Sequence, residues 1–218
     1  MPGVRKLDLI SHGLTDASRA ARFPADEPLT PAGRAMLADR AVEPPAGARI
    51  VAGPERRTGE TARLLGLDAA PLSRLRDLDA GAWRGTEPGL LPPEETGRRL
   101  TDPGHRGHGG ESVPDLLDRV HGWLDEPAGG EAPHTITVTH PAVIRAVPAA
   151  ALAAAPESFR RTDVAPGARV RLPRRTAWTL RLKSTRPCYW AFRATVVPNE
   201  SGKSRKVILA GTDPVGIS

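Results

Sequence analysis

The chain predicts an α/β fold, a three-layer α/β/α sandwich around a mostly parallel central sheet. Three observations carry that prediction. Short apolar segments with strand-like spacing alternate along the sequence with helical patterns. Two of them, 5–11 and 134–139, each run into a histidine, His12 and His140, where the strand pattern stops. A third, Arg49-Ile50-Val51-Ala52, runs into Gly53-Pro54 in the same way. Open α/β sheets bind ligands outside the carboxyl ends of their strands, so these corners are where chemistry is expected.

The elements follow in order. Arg5-Lys6-Leu7-Asp8-Leu9-Ile10 alternates enough apolar residues for a short buried strand, ended by Ser11-His12-Gly13. A loop rich in Asp, Pro and Ala comes next. Thr30-Pro31-Ala32-Gly33 opens a helix to about residue 41, with Thr30 as N-cap and Pro31 at the first helical position. A second helix covers 55–65, with Ala62 and Leu65 on one stripe. Residues 71–85 are extended and turn-rich. Residues 86–110, rich in Pro and Gly, form an excursion over one end of the sheet, with a short helix near 94–100. Ser112 caps a helix whose Val113, Leu116, Leu117, Val120 and Trp123 recur at helical spacing. Residues 134–139 alternate as a strand, and Pro141 begins an alanine-rich helix to about residue 154. Residues 170–172 and 178–182 suit an edge hairpin.

Composition bounds the function. At 218 residues, 39% hydrophobic and 26% charged, the chain suits a soluble globular protein with a sizeable core. Aromatics are only 4%, so Ala, Leu and Val must build that core. The single cysteine, Cys188, excludes an internal disulfide framework and points to a reducing compartment. No signal peptide is evident at the start, and the longest apolar stretch, 146–155, falls short of the ~20 residues of a spanning helix. A cytoplasmic protein with no membrane partner is expected. Of the net charge of +6, residues 183–218 carry +4. In residues 1–182 the arginines are scattered among acids, without the concentrated basic footprint that nucleic acid requires. The last 36 residues hold three of the four lysines, the cysteine and the only tyrosine. That shift predicts two parts, a domain over 1–182 and a C-terminal extension over 183–218. Gly202-Lys203-Ser204 is no Walker A loop, because Val197 stands where that loop needs glycine.

Four segments carry candidate chemistry. They are Ser11-His12-Gly13 with the later Pro28-Leu29-Thr30-Pro31-Ala32-Gly33, and Gly53-Pro54-Glu55-Arg56-Arg57-Thr58-Gly59-Glu60-Thr61-Ala62. The others are Leu75-Arg76-Asp77-Leu78-Asp79-Ala80-Gly81-Ala82-Trp83-Arg84-Gly85 and Val138-Thr139-His140-Pro141-Ala142-Val143-Ile144-Arg145. A lone histidine at a strand end is more often a structural hydrogen-bonding group. Two of them, with Arg57 and an acid in this order, point to a common pocket. Together with Gly110-Glu111-Ser112, these segments resemble the histidine phosphatase superfamily, the phosphoglycerate-mutase-like fold, over residues 4–182.

The resemblance implies a metal-independent phosphatase that hydrolyses a small phosphorylated metabolite through a phosphohistidine on His12. Arg57 and His140 would bind the equatorial phosphate oxygens, and Asp77 would protonate the leaving oxygen and later deprotonate water. No metal or cofactor is implied. The chain departs from the family pattern at two positions. Ser11 stands where an arginine is expected, and Asp77 where glutamate is common. Ser11, Arg57, Arg22 and Glu111 are the substrate-binding candidates: Arg19 or Arg22 to replace the missing guanidinium, Glu111 as the reserve acid. The alternative is a relative that kept the fold and lost or changed turnover because of Ser11: a phospholigand-binding or regulatory protein, or one with altered chemistry. No basic cluster dedicated to a second phosphate is evident, although Arg98, Arg99 and Arg106 in the excursion could reach inward. Those arginines, with His105 and His108, are the expected determinants of substrate choice. Asp79 and Trp83 are expected to be structural, and His105 and His108 to lie in a solvated loop rather than at a metal. No heptad or exposed apolar strand announces an oligomer interface.

Overall fold

Residues 5–11 form the strand their alternation predicts, and the elements that follow build a sheet around it. The computed structural model describes residues 4–125 and 132–180, and the backbone of 196–198 and 204–206. In chain order the elements are β1 (Arg5–Ser11), α1 (Asp16–Arg19), α2 (Pro31–Ala35), β2 (Arg49–Ala52), α3 (Arg56–Leu64) and β3 (Ala70–Pro71). Then come α4 (Pro93–Thr101), α5 (Val113–Asp125), β4 (His134–Thr139), α6 (Pro141–Ala151) and β5 (Arg169–Arg174). Short 3-10 turns occupy Ser73–Leu75, Gly81–Trp83, Pro88–Leu90 and Pro156–Arg161. The chain divides into two units, Met1–Leu182 and Lys183–Ser218. The second contains β6 (Val196–Pro198) paired antiparallel with β7 (Ser204–Lys206). Cys188, Gly202 and Lys203 lie outside the described residues.

The five-stranded sheet of the first unit has the order β3-β2-β4-β1-β5. All its neighbours are parallel except β5, which runs antiparallel to β1 at the edge. Strand alternation sends side chains to two cores. Leu7, Leu9 and Val51 face α5 and α6, where Leu116, Val120, Val143 and Val147 are buried. Ile10, Ala52, Ile136 and Val138 face the other layer, with Leu37, Ala62 and Leu65. Helices on both faces of a mostly parallel sheet make the α/β/α sandwich that the sequence predicts.

Two helices end earlier than expected. Thr30 caps α2 by accepting from the Gly33 N–H at 2.9 Å. Gly33 packs so closely that a Cβ there would lie 2.2 Å from the Leu14 carbonyl oxygen. After Ala35 the bonding tightens to Leu37 N–H on Arg34 and Ala38 N–H on Ala35, so the helix unwinds into turns. The α6 helix stops at Ala151, three residues after the internal Pro148, and Ala153 takes a positive φ of 48°. The short helix expected near 94–100 in the excursion forms as α4, nine residues long. The edge strand β5 is joined by an isolated bridge from Arg174 to Trp178, and the far part of the expected hairpin lies outside the described residues.

Asp8 locks three strands together. It is fully buried on β1 and accepts from Arg171 and Arg169 of β5 and from His134 of β4, at 2.5–3.0 Å. Burial works to raise its pKa, but the Arg171 and Arg169 hydrogen bonds hold it far below the usual carboxylate range.

Candidate active site

The sheet order places the corners side by side. In the β1–β4 pairing Ser11 lies opposite Thr139, so the next residues, His12 and His140, emerge from adjacent strands. Their rings meet edge to face with centroids 5.3 Å apart. The main chain fixes the junction: His12 N–H donates to the Thr139 carbonyl at 3.0 Å, and Gly53 N–H to that of Val138 at 2.9 Å. The Thr139 hydroxyl donates to the Leu75 carbonyl at 2.9 Å, drawing the segment that carries Asp77 towards the same strand ends.

His12 is 6% exposed and lines a cavity of about 220 Å³. Its Nδ1 lies 2.8 Å from the Gly13 carbonyl oxygen, which can only accept. Nδ1 therefore carries the proton, and Nε2 is left with the lone pair. Burial first, then the neighbouring His140, depress the His12 pKa from 6.5 to about 4, so the ring is neutral near pH 7.

His140 is fully buried between two carboxylates. Its Nε2 lies 2.7 Å from Glu55, and its Nδ1 lies 3.4 Å from Asp77 without a hydrogen bond. Glu55 also accepts from the Asp77 N–H at 2.9 Å. Burial works to raise the Glu55 pKa, but the His140 hydrogen bond leads the effects that bring it below the ordinary value. Glu55 is therefore an acceptor and the His140 Nε2–H a donor. Gly53 makes this pair possible, because a Cβ there would lie 2.7 Å from His140 Nε2.

Arg57 is buried, as the second residue of α3. Its fork donates to Asp77 at 2.8 Å and to the Ala25 carbonyl at 2.5 Å, and its Nε is buried without a partner. Burial works to raise the Asp77 pKa, yet His140 and Arg57 lead the effects that bring it below the ordinary value. Asp77 is thus ionised in the free pocket. It separates the His12 cavity from a neighbouring one that Arg57 and Glu55 line.

The structure brings most of the expected residues together. His12, Asp77, Arg22 and Glu111 line one cavity, and Arg57 joins through Asp77. Of the two arginines proposed to compensate for Ser11, Arg22 lines the cavity and keeps an unpartnered buried Nε, whereas Arg19 pairs with Asp16 at the surface. Glu111 is held on both oxygens by Arg119 and on one by Arg76. Ser11 is not at the cavity. It is fully buried, and its hydroxyl reaches only the His12 carbonyl, at 3.5 Å.

Other placements differ from the sequence reading. Trp83 lines the cavity and packs on Phe23, His105 and His108. His105 pairs with Glu95 at 2.9 Å, so both excursion histidines belong to a wall rather than a solvated loop. Among the described residues no His, Cys, Asp and Glu group is arranged to hold a metal ion, and no helix is long and apolar enough to cross a membrane. Arg98 and Arg106 do not line the cavity; they pair with Glu95 and Asp115. Glu55, Arg145 and Arg160 were not anticipated. Glu55 had a signal, an acid two residues after the glycine at the β2 corner. Arg145 closed the fourth segment without an assigned role, and Arg160 had no signal.

A sheet whose carboxyl edge presents two histidines in ring contact, with an acid and its arginine partner beside them, defines a class of phosphate-handling α/β protein. Residues 7–183 match the histidine phosphatase superfamily (branch 1), and the chain belongs to that family. Solved structures agree. A mycobacterial glucosyl-3-phosphoglycerate phosphatase, determined with VO3, is 25% identical with a TM-score of 0.67, covering 82% of this chain and 98% of that one. TTHB049 from Thermus thermophilus is 26% identical with a TM-score of 0.65, covering 82% and 99%. A mycobacterial hydrolase, at 24% identity and a TM-score of 0.65, shares the fold over 82% and 97%. No curated protein matches the chain.

Proposed function

We propose that this protein hydrolyses a small phosphomonoester through a phosphohistidine on His12. The observation that carries the reading is the state of His12: neutral, at the cavity, with its proton fixed on Nδ1 and its Nε2 lone pair available. Nε2 attacks phosphorus, and the bond to the leaving oxygen breaks. A substrate arriving as the monoanion brings one proton. Its phosphate competes with Asp77 for the Arg57 fork, and the loss of that partner beside a new negative charge raises the Asp77 pKa. Asp77 then takes the substrate proton and hands it to the leaving alcohol. In the second half Asp77 removes a proton from water, which attacks the phosphohistidine and releases inorganic phosphate and neutral His12.

The remaining donors stabilise the equatorial oxygens. Glu55 holds the His140 Nε2–H, so Nδ1 faces the reaction centre and donates there when the ring carries its second proton. Arg22 supplies the second guanidinium that Ser11 does not. In the free pocket the Arg57 fork is spent on Ala25 and Asp77, which favours the second reading, a phospholigand-binding relative without turnover.

The His12→Ala protein distinguishes them. Phosphate release from a panel of phosphometabolites should fall at least about a thousandfold, and acid-labile phosphate trapped on wild type should vanish. Tight phosphate binding by wild type, with neither phosphate release nor acid-labile phosphoprotein, would establish the binding reading instead.

A further inference from the structure

On one side the cavity in front of His12 collects three arginines from separate segments. Arg99 comes from α4, Arg145 from α6 and Arg160 from the turn Pro156–Arg161. They feel one another's charge. Burial, then Arg160 and Arg145, hold the Arg99 pKa below the ordinary guanidinium value, and burial and Arg145 act likewise on Arg160. Like charges gathered at a partly desolvated surface repel, and a ligand anion relieves that repulsion.

Carboxylates of the chain do not neutralise the group. Among the described residues, the one ion pair made by any of the three is Arg145 with Asp163, at 3.8 Å, and that aspartate is 98% exposed. The acids along the cavity are committed elsewhere. Asp77 and Glu27 face Arg57, Glu111 is held by Arg119, and Asp79 by Arg84. Asp102 accepts from the Gly104 N–H at 2.8 Å.

The arginines are braced with donors to spare. The Arg99 guanidinium lies over the Phe23 ring at 4.8 Å. Arg160 donates one N–H to the Arg99 carbonyl at 2.7 Å. The Nε of Arg145 is buried and unpartnered. A guanidinium cannot give up its proton to escape such a site, so it keeps its charge for an anion.

We propose that Arg99, Arg145 and Arg160 form a second anion subsite, selecting substrates that carry a carboxylate or second phosphate apart from the phosphate held at His12. The subsite rests on the phosphatase reading for the position of that first phosphate, but not on turnover. The probes are alkyl monophosphates of increasing chain length whose far end is a hydroxyl, a carboxylate or a second phosphate. Their Kd values are measured by calorimetry on the His12→Ala protein, or on wild type where it shows no turnover. At the chain length that spans the two sites, a charged end should tighten binding about tenfold or more over the hydroxyl end. The carboxylate and phosphate arms separate the two kinds of anion. Arg145→Gln and Arg160→Gln, each checked by thermal unfolding, should bring the ratio close to one; if one variant fails to fold, the other carries the test. Equal Kd values for charged and hydroxyl ends at every length overturn the subsite, even if wild type releases phosphate from both. A clear preference without phosphate release by wild type supports the subsite and sinks the hydrolytic reading.

Discussion

Asp8 and Asp77 are both aspartates held between arginine and histidine, and they differ in how completely their surroundings are satisfied. Asp8 has no exposure and receives Arg169, Arg171 and His134 on its two oxygens. Among the described residues, none of these four side chains leaves a buried polar atom unpaired. Around Asp77, Arg57 leaves Nε, His140 leaves Nδ1 and Glu27 leaves Oε1 without partners. Unpaired buried polar atoms cost about 1–3 kcal/mol each, so a fold keeps them together where a ligand will meet them. The saturated cluster ties strands; the unsaturated one is poised for an anion.

The largest effect tests the saturated side. Asp8→Asn removes the carboxylate from two arginines that keep some solvent, and unfolding should become easier by about 3 kcal/mol, the lower end for a broken buried pair. Turnover per folded molecule at neutral pH should not change. The pH dependence has a definite sign. The Asp8 pKa is depressed on folding, so its contribution is present above the unfolded carboxyl value and lost as pH falls below it towards the folded value. Denaturant melts from about pH 5 to about pH 3 should therefore show the gap between wild type and Asp8→Asn narrowing. A gap that widens in acid would mean Asp8 does not act as a paired carboxylate.

On the unsaturated side the His12 pKa is depressed as well, but there the fold favours the neutral form. Its pKa is depressed because burial and His140 disfavour the cation, so the ring stays neutral until pH falls to about 4. Ring resonances followed by NMR should move near pH 4 rather than near 6.5. Titration at the ordinary value would remove the neutral nucleophile on which the proposed attack depends.

Glu55→Gln probes the same cluster more gently. The amide keeps the shape but gives up the charge that orients His140 and the second oxygen that fixes the Asp77 N–H. We expect kcat to fall about tenfold with KM nearly constant and the pH profile displaced, the pattern of a positioning group. An unchanged kcat would reduce Glu55 to a helix-end residue.

The two clusters were unequally legible in the sequence. Strand ends carry a local signature, so His12, His140 and the Gly53 corner were visible, as were the Thr30 cap and the 134–139 strand. Asp8 looked like one polar residue in an apolar strand, because its partners lie 126 to 163 positions away. Arg145 and Arg160 were invisible as a pair with Arg99 for the same reason: three segments bring them together, and no spacing records it. The wall made by Trp83, His105 and His108 was hidden by the glycines of the excursion, which suppress periodicity without preventing packing.

Ser11→Ala should have the smallest effect and separates sequence from structure most sharply. In sequence, Ser11 is the departure that puts catalysis in question, as if its side chain stood at the phosphate. In the structure it is enclosed behind the first strand's end, with one long contact to its neighbour's carbonyl. A 3.5 Å approach is at the limit of a hydrogen bond, so removing it costs little beyond the space of one oxygen. Turnover and phosphate affinity should change less than about twofold, and stability by less than about 1 kcal/mol. A large loss of phosphate affinity would mean that Ser11 turns into the cavity when an anion binds. The second guanidinium assigned to Arg22 would then be unnecessary, and the unsaturated cluster would have a donor that the free protein keeps hidden.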